Sequence, residues 1–299
     1  MKEIIHYTSC PVCGSPALQS VMSVRDHSVS GETFQVLHCV ACTARFTQDI
    51  PALSAIGPYY QSEDYISHTN TNRGLINRLY QLVRKRTIRQ KRKLIRTVTG
   101  KEKGALLDLG SGTGAFAAEM KNAGWEVTGL EPDAGARKVA EESFGIHLED
   151  TSSFYSLPDQ QFDAITLWHV LEHVHDLQGY MKKMAASLRE NGKLVIAVPN
   201  YTSGDAAKWG DCWAAWDVPR HLYHFSPASL EGLANRHGLK LEACKPMWYD
   251  SFYVSLLSSR YRYGSTRLLP AFLTGLHSNL RALRDIRKCS SVIYILGKK

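Results

Sequence analysis

The sequence predicts an α/β protein built on a Rossmann-like sheet, with a small cysteine-rich module ahead of it. Three observations carry that expectation. From residue 105 onward, short apolar runs alternate with helix-patterned stretches, the spacing of a sheet covered on both faces. The first run feeds a glycine-rich turn, Gly110-Ser-Gly-Thr-Gly114, and then a helix. Residues 1–50 carry two C-x-x-C pairs. With 299 residues, 44% hydrophobic and 21% charged, the chain can bury a substantial core, which excludes disorder and low complexity. No apolar run approaches the ~18 residues of a membrane span. Met1-Lys-Glu-Ile-Ile-His6 does not read as a signal peptide, so a soluble, cytoplasmic chain is expected.

The cysteine pairs are Cys10-Pro-Val-Cys13 and Cys39-Val-Ala-Cys42. Without a secretory signal, such pairs read as metal ligands rather than disulfides. Four thiolates suit one tetrahedral, structural zinc, and a module of this size cannot build a sufficient core alone. Strand-like stretches at 19–24 and 33–38, with a turn at Ser30-Gly31, complete a zinc ribbon over residues 1–50. One departure is Thr43, where such knuckles often carry glycine. Cys212, Cys244 and Cys289 stand alone and read as packed thiols.

Residues 51–104 form a connector containing Tyr59, Tyr60 and Tyr65, followed by an amphipathic helix over 75–98. Leu75, Ile76, Leu79, Leu82, Val83, Leu94, Ile95 and Val98 mark its apolar face, and basic residues fill the other. Gly100 and Gly104 close it. The net charge of +8 is unevenly spread: residues 73–103 hold twelve basic and one acidic side chains, residues 104–254 twelve and twenty, and residues 255–299 nine and one. Such blocks read either as solvated helix faces or as sites for an anionic partner.

Residues 105–299 read as the α/β core. Strands are expected at 105–109, 126–130, 146–148, 162–168 and 193–198, with helices at 114–123, 134–143 and 177–188 between them. A helix at 227–237 leads to a strand at 241–247, and a last strand at 291–296 follows a helical insertion at 251–288. The glycine turn lets the chain bend tightly and lets a ligand approach backbone amides at the positive end of a helix. Alone it is ambiguous, because Gly110, Gly112 and Ala115 also satisfy a dinucleotide-binding pattern, and Glu131 at the second strand end suits ribose hydroxyls in either case. Asp108, two residues before the first glycine, suits a cationic amino group better than a pyrophosphate.

Asp108-Leu-Gly-Ser-Gly-Thr-Gly114, Leu130-Glu-Pro-Asp133, Phe162-Asp-Ala-Ile-Thr-Leu-Trp-His-Val-Leu-Glu-His173 and Leu188-Arg-Glu-Asn-Gly-Lys-Leu-Val195 resemble, in order and separation, the motifs of class I S-adenosylmethionine-dependent methyltransferases. The likeness covers roughly residues 75–299. It implies that Asp108 and the backbone of Gly110, Ser111, Gly112, Thr113 and Gly114 hold the methionine end of the cofactor. Glu131 would bond the ribose, Pro132 and Asp133 would border the adenine, and Thr151 and Ser152 would edge it. Leu167, Trp168 and His169 would end the fourth strand where donor meets acceptor. His169 and His173 also have a plain reading as packing residues.

With the zinc ribbon included, the chain resembles a bacterial group of zinc-ribbon methyltransferases, some of which methylate deoxysugar carbons. His221-Leu-Tyr-His-Phe-Ser226 is similar to their His-Leu-x-x-Phe-Ser stretch, where the histidine lies at the acceptor. The resemblance makes His221 the candidate base, with Tyr223 and His224 close by. Arg220 stands where the sugar enzymes commonly have a carboxylate, which makes an acidic acceptor plausible. Trp209, Trp213 and Trp216 read either as a cap over the core or as an aromatic wall for the substrate. The insertion reads as a helical lid with a wet basic face, with docking to anionic lipid or a lipid-linked acceptor as the second reading.

The function expected is methyl transfer from S-adenosylmethionine to oxygen or carbon of a small molecule, such as a sugar or lipid-linked metabolite. A zinc-ribbon RNA methyltransferase and a non-catalytic cofactor-binding module are the alternatives. Against RNA, the fourth strand ends Leu167-Trp-His-Val170 rather than in the Asn/Asp-Pro-Pro-aromatic motif of many amino-group methylases.

Overall fold

The computed structural model describes residues 3–61 and 75–299, with side chains from residue 83 in the helix that opens the second stretch. Tyr65 of the connector, and the side chains of Leu75, Ile76, Leu79 and Leu82, lie outside what is described. The N-terminal module consists of β1 (Ile4–Ile5), β2 (Leu18–Arg25), β3 (Thr33–Cys39), β4 (Arg45–Thr47) and β5 (Ile50–Pro51). Phe34 and Val36 alternate with exposed neighbours along β3, as a half-buried strand requires. The turn after β2 is built by Asp26, whose carboxylate accepts from the amides of Ser28, Val29 and Ser30.

A helix, α1 (Leu75–Thr99), leads into β6 (Ala105–Leu109), α2 (Ala115–Asn122), β7 (Glu126–Leu130), α3 (Ala134–Phe144), β8 (Phe162–Trp168), α4 (Leu177–Ser187) and β9 (Leu188–Pro199). The chain continues through α5 (Gly204–Trp209), β10 (Tyr223–His224), α6 (Pro227–Arg236), β11 (Leu239–Pro246), α7 (Asp250–Tyr263), α8 (Leu268–Arg284) and β12 (Ser291–Lys298). The large sheet has the order β11-β12-β9-β8-β6-β7. Strands β7, β6, β8 and β9 are parallel, and the near-continuous burial of the central β6 and β8 matches strands covered on both faces. The parallel order stops at one edge of the sheet. After β11, the α7–α8 hairpin carries the chain back so that β12 enters between β9 and β11, antiparallel to both. The expected strand at 146–148 is reduced to one parallel bridge, Leu130 to Glu149.

The N-terminal module is not a separate bead. β10, from the core, extends its sheet in the order β10-β4-β3-β2, pairing Tyr223 with Phe46. Cys10, Val12, Cys39, Phe46 and Ile50 share one apolar core with the large sheet. Trp209, Trp213 and Trp216, all at most 2% exposed, fill a second core against Val24, Phe34, Val36 and Tyr59. The tryptophans are therefore the packing between module and core, as the first of their two readings had it.

Candidate active site

The chain order reverses at β6, whose neighbours are β7 and β8, so this is a switch point, where an open α/β sheet offers its ligand crevice at the carboxyl ends of the strands. Every residue of β6 is buried, and the strand ends at Leu109 in the glycine turn. The amides of Gly110 and Ser111 both donate to the Leu130 carbonyl, fixing the turn to the end of β7. Gly110 has φ +67°, and a Cβ there would collide with Val170. Gly112 also has positive φ, +54°, yet a Cβ there would meet nothing within 4 Å. Gly110 is thus required by packing, while Gly112 presents backbone to open space at the start of α2, the geometry a polar ligand can approach.

Glu131 follows β7 and is 8% exposed. Its Oε2 accepts from the Gly112 amide at 2.7 Å and its Oε1 from the Asp133 amide at 3.0 Å. Burial raises its pKa, with the two amides working the other way. Each oxygen keeps lone-pair capacity for one more donor, such as a hydroxyl. Pro132 and Asp133 open α3, where Asp133 caps the helix on the Ala136 amide. Thr151 and Ser152 start a 3-10 turn capped by Asp150, and the Glu131 amide bonds to Glu149 just before it. Thr113 is held by Arg84 of α1 at 2.9 Å.

Asp108 is 2% exposed, and its Oδ1 accepts from the Thr166 hydroxyl at 2.6 Å. Burial pushes its pKa up to about 6, against the pull of Thr166 and Lys91. Lys91, from α1, lies 4.2 Å over the Trp168 ring, and burial lowers its pKa to about 8 despite Asp108 and Asp250. A solvated face is expected for this lysine from the helix's charge pattern, and the structure buries it instead. The signal was present: Lys91 lies three residues after Ile88 and four before Ile95, both packed in the core, so it sits on the buried stripe. Leu167 is wholly buried in β8, so only its place in the strand, not its side chain, belongs to the crevice.

Beyond Trp168 the backbone of His169 has φ +59°, a conformation uncommon for a residue with a Cβ. Its Nε2 lies 3.0 Å from Asp250 and its Nδ1 3.3 Å from Glu172. Burial opposes the imidazolium, but the two carboxylates overcome it and lift the pKa to about 10. His169 is therefore a cation clamped between α7 and the turn after β8. Glu172 is fully buried, and neither of its oxygens receives an aligned hydrogen bond. Burial would protonate it, yet His169 beside it holds its pKa below the usual value.

Glu172, His173 and His221 bring one ligand atom each within 4.8 Å of one another. His173 Nδ1 lies 3.0 Å from the Arg220 carbonyl, and His221 Nδ1 lies 2.8 Å from the Ala215 carbonyl. A carbonyl only accepts, so Nδ1 is the donor in both rings, and Nε2 is the nitrogen that carries the lone pair in the neutral tautomer. Burial, with His221 adding to it, pushes the His173 pKa down to about 4, so that ring is neutral. This donor set can take up a proton, and its chemistry also suits a cation. Asp250 is not legible as a neighbour of this group from the sequence, because it meets His169 from 81 positions further on.

Two candidate catalytic residues are corrected. Tyr223 is 2% exposed, and its hydroxyl donates to the His175 carbonyl at 3.2 Å. His224 is 4% exposed, lies 3.2 Å from the Thr47 hydroxyl and meets Trp216 edge-on. Burial drives its pKa well down. Both belong to β10 and join the module to the core, so neither is open to an acceptor. Arg220 is corrected too. It is 1% exposed, bonded to Asp26 at 2.9 Å, Asp217 at 2.7 Å and the Tyr59 carbonyl at 2.8 Å. A guanidinium so committed offers nothing to an acidic acceptor.

Burial opposes the charge on Asp26, but Arg220 and the Ser30 amide lower its pKa to about 2. A depressed carboxylate pKa contributes stability above the unfolded value of 3.8, which is lost as pH falls from there toward 2. Asp26→Asn should cost about 3–5 kcal/mol at pH 7 by leaving Arg220 short of one partner. Urea melts between pH 7 and 2 should show this variant losing less stability on acidification than the parent; parallel curves would remove the assignment.

At the N-terminus, Cys10 and Cys42 sulfurs lie 3.6 Å apart and Cys13 and Cys39 sulfurs 3.5 Å apart. All four fall within 4.8 Å of one another. Zinc–sulfur bonds of ~2.3 Å in a tetrahedron need sulfurs about 3.8 Å apart, so the donor set fits zinc. Gly14 (φ +78°) and Thr43 (φ +63°) occupy the same left-handed position in the two knuckles, each donating its amide back to the first cysteine of its pair. Threonine is held there by its hydroxyl, 2.7 Å from that of Ser226, and by Tyr201, which donates to its carbonyl.

Residues 80–243 match the family model described as a methyltransferase domain. An uncharacterized methyltransferase of Anoxybacillus flavithermus is 29% identical over 157 residues, 48% of this chain and 74% of that one. The ubiquinone biosynthesis O-methyltransferase of Xanthomonas axonopodis is 30% identical over 159 residues, 48% of this chain and 66% of its own length. Among solved structures, 1,6-didemethyltoxoflavin-N1-methyltransferase of Burkholderia thailandensis, with S-adenosylhomocysteine bound, covers 88% of this chain and 98% of its own at a TM-score of 0.50 and 13% identity, a likeness of fold. With the domain match spanning more than half of its length, the chain belongs to the methyltransferase domain family.

Proposed function

We propose that this protein transfers a methyl group from S-adenosylmethionine to oxygen or carbon of a small molecule. The reading rests on two groups of residues that follow the carboxyl ends of the parallel strands, one for the cofactor and one for the acceptor. The open backbone at Gly112, backed by Asp108 and Glu131, forms the first. The fourth-strand end with His169, Glu172, His173 and His221 forms the second. When bound, the cofactor supplies a methyl group already activated on a sulfonium. The chain then has to orient the acceptor and take its proton. Asp108, Gly110, Ser111, Gly112, Thr113 and Gly114 are assigned to the methionine end, Glu131 to the ribose, and Pro132, Asp133, Thr151 and Ser152 to the adenine. Trp168 and His169 border the reacting groups, and His221 is the base.

On this reading residues 1–50 are a zinc ribbon held by Cys10, Cys13, Cys39 and Cys42, residues 51–104 a connector and helix, and residues 105–299 the catalytic core with its insertion at 251–288. The metal is structural, because four cysteines leave no open coordination position. Relatives named for ubiquinone biosynthesis and for demethylmenaquinone methylation, the latter 27% identical over 147 residues and matched over 60% of its length, direct the acceptor search to quinone precursors beside sugars. The test is transfer of an isotopically labelled methyl group from S-adenosylmethionine to a panel of such compounds and to RNA. Label in an organic or sugar product supports the reading; label in RNA alone rejects it.

A further inference from the structure

Helix α8 is built inside out. Its buried residues are small: Ala271, Thr274, Gly275, Ser278 and Ala282. They let it press onto α7, where a Cβ at Gly275 would meet Phe252 at 2.7 Å. Its large apolar residues face water instead. Leu269, Phe272, Leu273, Leu276, Leu280 and Leu283 fall at i, i+3, i+4, i+7, i+11 and i+14, a single stripe along the helix, with exposures from 39% at Leu276 to 69% at Leu283. At its upper end the stripe borders an apolar trough of about 470 Å³ formed with Phe252 and Leu256 of α7. Isolated exposed leucines need no explanation, but a continuous stripe of this length does.

The charge around the stripe says what covers it. Helix α8 contains no acidic residue, and Arg267 precedes it while Arg281 and Arg284 occupy its last turn. After residue 254 the chain has nine basic side chains and Asp285 as its one acid. A second copy of the chain would set this basic rim against itself. An apolar stripe with basic residues at its ends instead has the character of a helix lying in a lipid interface, leucines at the headgroup–acyl boundary and arginines on phosphates. No described helix is long and apolar enough to cross a membrane, so the contact is peripheral.

We propose that the α7–α8 hairpin seats the protein on an anionic lipid bilayer. The test is flotation of the full-length protein with vesicles of phosphatidylcholine alone and of phosphatidylcholine containing one-third phosphatidylglycerol. Binding to the anionic vesicles, and little to the neutral ones, is expected. Leu269→Glu/Phe272→Glu should abolish it. These side chains are exposed, so circular dichroism should show an unchanged fold. Arg281→Gln/Arg284→Gln should weaken it roughly 10–30-fold, which keeps the test open should the first variant misfold. Equal binding to both vesicle types would overturn the proposal. So would no vesicle binding, including the case in which sedimentation shows a dimer that the glutamate variant splits, since the stripe would then belong to a second copy.

Discussion

Serine in place of Cys39 is expected to leave the protein without its metal and with its N-terminal module unfolded. Cys39 is fully buried at the end of β3, and its sulfur lies 3.5 Å from that of Cys13. With one thiolate missing, the remaining three must hold zinc with an incomplete shell. The metal supplies on the order of 10–16 kcal/mol in sites of this kind, more than the whole stability of most domains. The damage should spread, because Cys10, Cys39 and Phe46 share a core with the large sheet and β4 carries β10 as its neighbour. Metal analysis of protein purified without added zinc should give one zinc per chain for the parent and substantially less for the variant, with a lower melting temperature. Soluble variant protein with full occupancy would show that these cysteines do not hold the ion.

Alanine in place of His221 should lower turnover by on the order of 10²–10⁴-fold while leaving cofactor affinity unchanged. The Nδ1 bond to the Ala215 carbonyl fixes the tautomer whose Nε2 can accept a proton. Glu172, ionised and without an aligned donor, lies within reach of the ring and would stabilise the imidazolium as it forms. His173 stays neutral beside it and so adds no charge of its own against the uptake. Glu172→Gln should keep cofactor binding yet move the pH–rate profile, as expected of a positioning residue. Near-parent turnover in His221→Ala would reject the base, and alignment of the reactants alone would then have to carry the rate. Loss of activity restored by a divalent cation would instead make the Glu172, His173 and His221 group a metal site.

Much of the fold was legible because it rests on local rules. The glycine turn, the carboxylates at strand ends and the cysteine pairs are patterns over a few residues, and they appear where the sequence predicts. The antiparallel entry of β12 was not legible, because it depends on where the α7–α8 hairpin returns the chain. The same limit governs the site. Tyr223 and His224 adjoin His221 in sequence, but a strand sends them into a different environment, against β4. Arg220 is engaged by Asp26, 194 positions away, a pairing no local pattern announces. His169 was in view as a strand-end residue, but its charge depends on Asp250, 81 positions on.

The measurement that bears most directly on the central claim is calorimetric titration of the protein with S-adenosylmethionine, for the parent and for Glu131→Ala. Glu131 is the one carboxylate that both ties down the Gly112 amide and retains capacity for the ribose hydroxyls. Each charge-assisted hydrogen bond lost is worth roughly 1.5–3 kcal/mol. The account predicts stoichiometric binding by the parent and at least about a tenfold loss of affinity in the variant. No binding by folded, zinc-loaded parent protein, or equal affinity in the two, would contradict it.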